Sequence, residues 1–282
     1  MANIYLEHLQ DKRLYAACYR EIVEKDPTPQ SFLLLGDAYM SIQEPERAME
    51  VYEQALKRNP RDAILACRMG QSLIKTHQYQ KAINYYKEAI KTGSSNQLRY
   101  DMAELQMRLK QYDKAEKTIA LALKAESASG NDIDSMFFQA KLFNLLAKVH
   151  ERAEDYESSF ETLYEAKNLQ VRVLKRSQVE LPDTVPQQKQ MASSICQKIA
   201  EYHANKREYE LAINHYKEAL TYEPENTSTL LSLAKLYMQM KELDQCQNTC
   251  MAILRMDKEN DAATVMMADL SYRRNEYGTA IK

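Results

Sequence analysis

Glycine and proline are scarce: the 282 residues contain five glycines and seven prolines. That leaves no material for long disordered linkers, and Gly36, Gly70, Gly93, Gly130 and Gly278 are too dispersed to build a phosphate-cradling loop. Cysteine is sparse and odd in number. Cys18, Cys67, Cys196, Cys246 and Cys250 fall on helix-patterned segments, so a disulfide framework is not expected. No apolar run reaches membrane-spanning length. The stretch from Met1 to Gln10 carries Glu7 and His8 and reads as a fragment of helix, not a secretory leader. A cytosolic chain is therefore expected. Neither sign of charge dominates, with 38 basic residues against 40 acidic, which argues against nucleic acid or an anionic membrane as the main partner. Nucleophile motifs, HExxH and CxxC are missing, so no enzyme, cofactor, metal or small-molecule substrate is expected.

What is present is a pattern that repeats in phase. Leu35-Gly36-x-x-Tyr39, Ala48, Tyr52, Ala55 and Pro60 return as Met69-Gly70, Ala82, Tyr86 and Ala89, each matched pair 34 residues apart. A small residue, alanine twelve later, an aromatic four after that and alanine three further on is the signature of the tetratricopeptide repeat. Small residues let two antiparallel helices approach, and the rings of Tyr52 and Tyr86 fill the gaps between them. Pro60 stops the second helix, because proline lacks the amide proton and disfavours helix in the residue before it.

The template continues along the chain as Met102-Ala103, Ala115, Ile119, Ala122, and then as Leu146-Ala147, Ser159, Leu163, Ala166. Ile199-Ala200, Ala212, Tyr216, Ala219, Pro224 and Leu233-Ala234-x-x-Tyr237, Cys246, Cys250, Ile253 follow, and Met267-Ala268 with Ala280 opens a last copy. The expected fold is all-α: one solenoid, a right-handed superhelix of antiparallel helix pairs. Repeats are expected at about 1–28 (partial), 29–62, 63–95, 96–131, 132–186, 187–226, 227–260 and 261–282 (truncated). Neither end carries a polar capping helix, as expected of a piece cut from something longer.

The spacing breaks twice. From Ala115 to Ser159 the step is 44 residues, with the excess around Glu126 to Asp132, which predicts a loop and a lengthened helix. From Ser159 to Ala212 the step is 53, with the excess over Val171 to Leu181, Pro182 and Pro186. Here a second helix overruns its usual stop. Taken as one helix from Tyr156 to Gln178 it is about 34 Å long, and its basic residues Arg172, Lys175 and Arg176 become candidates for partner docking. The alternative is a longer hairpin, with Val171, Leu174 and Gln178 packed on an extended helix from Gln187 to His203.

Cys246 and Cys250 share a helical face at a spacing that can hold a metal, but they take the places of alanine and tyrosine in other repeats and read as core. His150 and His203 stand where Tyr39 stands in its repeat, again a core position. His8, His77 and His215 look isolated.

One polar position per repeat, directly after the small residue, is expected to line the concave face: Asp37, Gln71, Glu104, Lys148, Glu201 and Lys235. This mixed-charge set suits a folded partner better than one simple peptide. Repeats that grip a chaperone's C-terminal carboxylate use lysine, arginine and asparagine where this chain has Leu33, Asp37, Arg68, Gln97 and Asp101. A peptide-binding adaptor of a chaperone or other multiprotein machine is therefore the second reading, with Asp37 against it. A third reading, the regulatory arm of an enzyme whose catalytic domain lies elsewhere, turns on sequence beyond Lys282.

Specific stretches carry a narrower likeness. The run Ser31 to Pro45 (SFLLLGDAYMSIQEP), Ala89 to Gly93, Arg172 to Arg176 with Pro182-Asp-x-Val-Pro186, and Ala262 to Leu270 resemble the tetratricopeptide repeat protein 21 family, both spacing irregularities included. That resemblance implies a central-to-C-terminal slice of a subunit of intraflagellar-transport complex A. It further implies protein partners in that complex, location in the cytoplasm and the cilium, and roles in retrograde transport, cilium assembly and delivery of membrane receptors.

Overall fold

The computed structural model describes residues 12–92, 95–129 and 132–274. Fourteen α-helices and one short 3-10 turn account for the regular structure among them, and no strand occurs there. By contacts the chain divides into two compact units, Met1–Ser129 and Gly130–Lys282, a division that falls at the first break in repeat spacing.

In the first unit, α1 (Lys12–Lys25) precedes three antiparallel pairs: α2 (Pro29–Ser41) with α3 (Pro45–Arg58), α4 (Ala63–Lys75) with α5 (Tyr79–Thr92), and α6 (Asn96–Arg108) with α7 (Tyr112–Ser129). The second unit holds the pairs α8 (Ile133–Arg152) with α9 (Tyr156–Glu180), α10 (Val185–Asn205) with α11 (Tyr209–Tyr222), and α12 (Thr227–Gln239) with α13 (Leu243–Met256). It is followed by α14 (Asp261–Arg273). The expected helix fragment before Asp11, and Gly93, Gly130, Gly278, His8 and Ala280, lie outside the described residues.

Most first helices start on a side-chain cap: Thr28 and Ser31 form a reciprocal capping box, Asp62 accepts from the amides of Ile64 and Leu65, and Asp132, Asn226 and Asn260 accept from Ser135, Thr229 and Ala263, whereas Ser95 and Thr184 make no such bond. At the turn into each second helix one residue adopts a left-handed conformation: Gln43, His77, Lys110, Glu154, Arg207 and Lys241, all with φ near +60°. Around each of them the flanking amides bond back into the helix. Gln43 N–H donates to Met40 O at 3.2 Å and Glu44 N–H to Tyr39 O at 2.9 Å, and the other five turns repeat the scheme. This is the Schellman closure, made six times without its usual glycine.

The core is the alanine set read from the sequence. Ala48, Ala82, Ala103, Ala115, Ala147, Ala200, Ala212, Ala219 and Ala234 are wholly buried, Ala55 nearly so, and Ala89 only partly. The glycine positions are tighter than a preference for small residues requires. Even a methyl is excluded at Gly36 and Gly70, because an added Cβ would stand 2.1 Å from Tyr52 Cε1 and 2.2 Å from Tyr86 Cζ. The obstacle is the tyrosine ring, not the opposing backbone.

The second spacing break also resolves into packing. α8, α9 and α10 run 20, 25 and 21 residues against the 14 and 13 of α11 and α12, so the overrun is matched on both sides. On one side Leu169 and Val173 pack with Met136 and Ala140 of α8. On the other, Gln170 Nε2 donates to Gln188 O at 3.0 Å and Gln188 Oε1 at 2.9 Å. The buried face is therefore Gln170, Val173, Leu174 and Ser177, whereas Val171 is half-buried and Gln178 exposed. The expected trio kept Leu174 and missed the rest, because the helix is rotated to serve two neighbours at once.

Candidate functional site

The polar position after each small residue is solvent-facing to different degrees. Gln71, Lys148, Glu201 and Lys235 are exposed, while Asp37 and Glu104 are half-buried and already engaged. Asp37 Oδ1 accepts the hydroxyl proton of Tyr52 at 2.6 Å and lies 3.2 Å from Arg68 Nε. Glu104 pairs with Arg108 one turn away at 2.7 Å.

α4, α5 and α6 line an open cavity of about 260 Å³, with Gln71, Tyr86, Asp101 and Glu104 in its wall. In the sequence Asp101 stands out only as one of the positions that depart from the carboxylate-gripping pattern. Nothing in the repeat pattern marks it as half-buried, with burial pushing its carboxyl up and Gln97 and Cys67 pulling it back through hydrogen bonds.

Of the basic residues on the long hairpin, Arg172 and Lys175 are exposed. Arg176 is not free: its Nε stands 2.7 Å from Glu180 Oε1 and its Nη2 3.1 Å from Oε2, while Nη1 reaches Met136 Sδ at 3.4 Å.

Two histidines correct the reading of isolation. His215 on α11 stacks on His203 of α10, with centroids 5.4 Å apart and planes 4° from parallel. The hydroxyl of Tyr164 on α9 meets Nε2 of His215 at 3.0 Å and of His203 at 3.4 Å. Glu208 closes on His203 Nδ1 at 2.6 Å, and Glu218 lies 3.3 Å from His215 Nδ1 and 2.5 Å from Lys167 Nζ. Three helices are thus tied through one polar cluster, whose partners stand 39 and 51 residues apart. His77, likewise, has its Nδ1 2.7 Å from the hydroxyl of Tyr79.

Cys246 and Cys250 are wholly buried in the core of the last pairs, and burial pushes the Cys250 thiol up to about 12. A thiol so placed is a packing group, far from the thiolate that metal binding requires. Among the described residues no helix is long and apolar enough to cross a membrane.

Comparison with known proteins follows this geometry. A family model described as the fourth ARM domain of tetratricopeptide repeat protein 21 matches residues 65–220, and two tetratricopeptide-repeat models match 29–72 and 206–270. Among curated proteins the chain is 47% identical to mouse tetratricopeptide repeat protein 21A over 281 residues, covering 100% of this chain and 21% of that protein. It is 48% identical to human tetratricopeptide repeat protein 21B over 93% of this chain and 20% of the relative. The chain thus spans about a fifth of the length of the relatives it matches. Two solved structures share the fold. Pseudomonas aeruginosa pilF matches at TM-score 0.56 and 16% identity over 87% of this chain and 99% of its own. The Cut9–Hcn1 hetero-tetramer of APC/C matches at TM-score 0.50 and 13% identity over 94% of this chain and 47% of its own.

Proposed function

The chain belongs to the tetratricopeptide repeat protein 21 family, and from that premise we propose that it is a non-catalytic scaffold segment holding other protein subunits, those of intraflagellar-transport complex A. The observation that carries this reading is the division of labour within each repeat. Buried positions go to alanine and tyrosine, while the residue after the small one is offered to solvent, as Gln71 in the first unit and, in the second, as Lys148, Glu201 and Lys235 with a sign that changes from repeat to repeat. A surface of alternating charge selects a partner with the complementary pattern and fixes its register. Binding by such a surface sums many weak contacts, and no step of it needs a reacting group.

The compartment we assign is the cytoplasm and the cilium, at the base and along the axoneme. There the segment contributes to retrograde transport, cilium assembly and delivery of membrane receptors by holding neighbours, with motor force supplied elsewhere. The test is quantitative co-purification of the tagged 282-residue chain from ciliated cells. Complex A subunits are expected to be enriched; recovery of chaperones alone overturns the assignment.

A further inference from the structure

Two consecutive repeats of the first unit fill the same place in opposite ways. In the earlier one, Tyr52, Asp37 and Arg68 close into a triad in which hydroxyl, carboxylate and guanidinium satisfy one another. In the next, Tyr86 stands in the place of Tyr52, Gln71 in that of Asp37, and Asp101 in that of Arg68, each 34, 34 and 33 residues further on. The carboxylate has crossed from one helix to the next, and the cation is missing.

Two polar atoms are left over. Tyr86 is wholly buried and its hydroxyl has no hydrogen-bond partner, and Asp101 Oδ2 is buried without one too. Asp101 Oδ1 is occupied, accepting from Gln97 Nε2 at 2.8 Å, and the Cys67 thiol also bonds this carboxylate. Buried polar groups are rarely left unsatisfied, since each has lost its water without recovering a bond. Both residues line the same cavity of about 260 Å³. Beside it, a second cavity of about 280 Å³ shares Gln71 and Asp101 as walls, so the open space runs on along α4 and α6.

The cations nearby are committed or peripheral. Arg68 is held by Asp37 and Arg108 by Glu104, while Lys75 is exposed and lines the first cavity. With burial raising the carboxyl of Asp101, an incoming positive group would replace the hydration it has lost.

We infer that this groove docks a polypeptide segment that inserts one cationic side chain, arginine by preference, against Asp101 Oδ2 and the Tyr86 hydroxyl. A guanidinium suits the place because its several donors lie in one plane and can reach carboxylate and hydroxyl together; one repeat earlier Arg68 meets the Asp37 carboxylate that Tyr52 also engages. The inference rests on the protein-binding reading only in taking the occupant to be a polypeptide.

Randomised dodecapeptides displayed on phage and selected on the immobilised 282-residue chain test it. Arginine, or lysine, is expected to become fixed at one position of the enriched peptides. The affinity of such a peptide is expected to fall tenfold or more with Asp101→Asn and several-fold with Tyr86→Phe, and to be unmoved by Lys75→Ala. Both informative substitutions keep side-chain shape, and thermal unfolding verifies that the variants fold. Enriched peptides without a shared cation, an affinity indifferent to Asp101→Asn, or no enrichment at all overturns the inference. The scaffold reading is judged separately, by whether the chain recovers complex A subunits.

Discussion

A carbon added to Gly36 would stand 2.1 Å from Cε1 of Tyr52, well inside any non-bonded contact. Ring and glycine are one packing unit, and the same unit recurs at Gly70 and Tyr86. In the repeats that carry Ala103, Ala147 and Ala234 instead, the residue at the ring's position is Ile119, Leu163 or Cys250. Volume lost on one helix is returned on the other. Ala200 with Tyr216 departs from this trade, and nothing in the structure explains it.

Gly36→Ala is therefore expected to destabilise the first unit by about 1–3 kcal/mol through overpacking, although alanine is the better helix former by about 1 kcal/mol. Gly36→Leu should cost more. Adding Tyr52→Leu to Gly36→Ala restores the pairing of Ala147 with Leu163, and a double-mutant cycle by urea unfolding should report a coupling of about 1–2 kcal/mol. Independent, additive effects would mean that the two residues do not share a site.

The six left-handed turn residues make a second prediction. For a residue with a Cβ this conformation is unfavourable by roughly 1–2 kcal/mol, and glycine adopts it freely at the cost of a more flexible unfolded chain. Lys110 and Lys241 are exposed and hold φ of 59° and 61°. Lys110→Gly and Lys241→Gly should each stabilise by about 0.5–1 kcal/mol net, read as a higher urea midpoint. A loss of stability would show that these lysine side chains contribute contacts outweighing the backbone gain.

How far the structure was legible in the sequence follows from the range of the interactions. Gly36, Ala48, Tyr52 and Ala55 announce their helix pair because the contact is local and is repeated after 34 residues. The turns between the helices left no such mark, since glutamine, histidine, lysine, glutamate and arginine occupy positions where glycine would have signalled a left-handed residue. The polar cluster of Tyr164, His203 and His215 joins helices across the irregular 53-residue step, so no fixed period relates its members. The cavity beside Asp101 was hidden for another reason. Its character depends on which partner is missing, and the periodic template records only residues that are present.

Stability should fall in mild acid because of that histidine cluster. Burial is the largest cause lowering the His215 pKa from 6.5; the Lys167 charge and His203 act in the same direction, and Glu218 opposes them. Tyr164 and Glu208 complete the surroundings. Because the folded chain holds this proton more weakly than the unfolded one, the stability His215 contributes is present above 6.5 and is lost as pH falls through the depressed value. The urea midpoint should drop between pH 7.5 and 5.5, and His215→Gln should shrink that drop. An unchanged slope in the variant would assign the acid sensitivity to carboxylates elsewhere.

The long hairpin is the remaining candidate surface, and its three candidate residues Arg172, Lys175 and Arg176 are not equivalent. Arg172 and Lys175 are exposed, so Arg172→Glu with Lys175→Glu should leave helicity and the thermal midpoint unchanged within about 0.5 kcal/mol of stability. Arg176 faces Glu180 one turn away and touches Met136. Reversing it sets two glutamates four residues apart on α9, a loss of roughly 0.2–0.5 kcal/mol from the helix itself. The double variant is therefore the clean probe of docking and the triple variant is not. If the hairpin meets a partner, the double variant should lower recovery of the co-purifying subunits several-fold while circular dichroism stays the same. Full recovery would return α8, α9 and α10 to a purely structural role, in which their extra length serves only to bury Gln170, Val173 and Ser177.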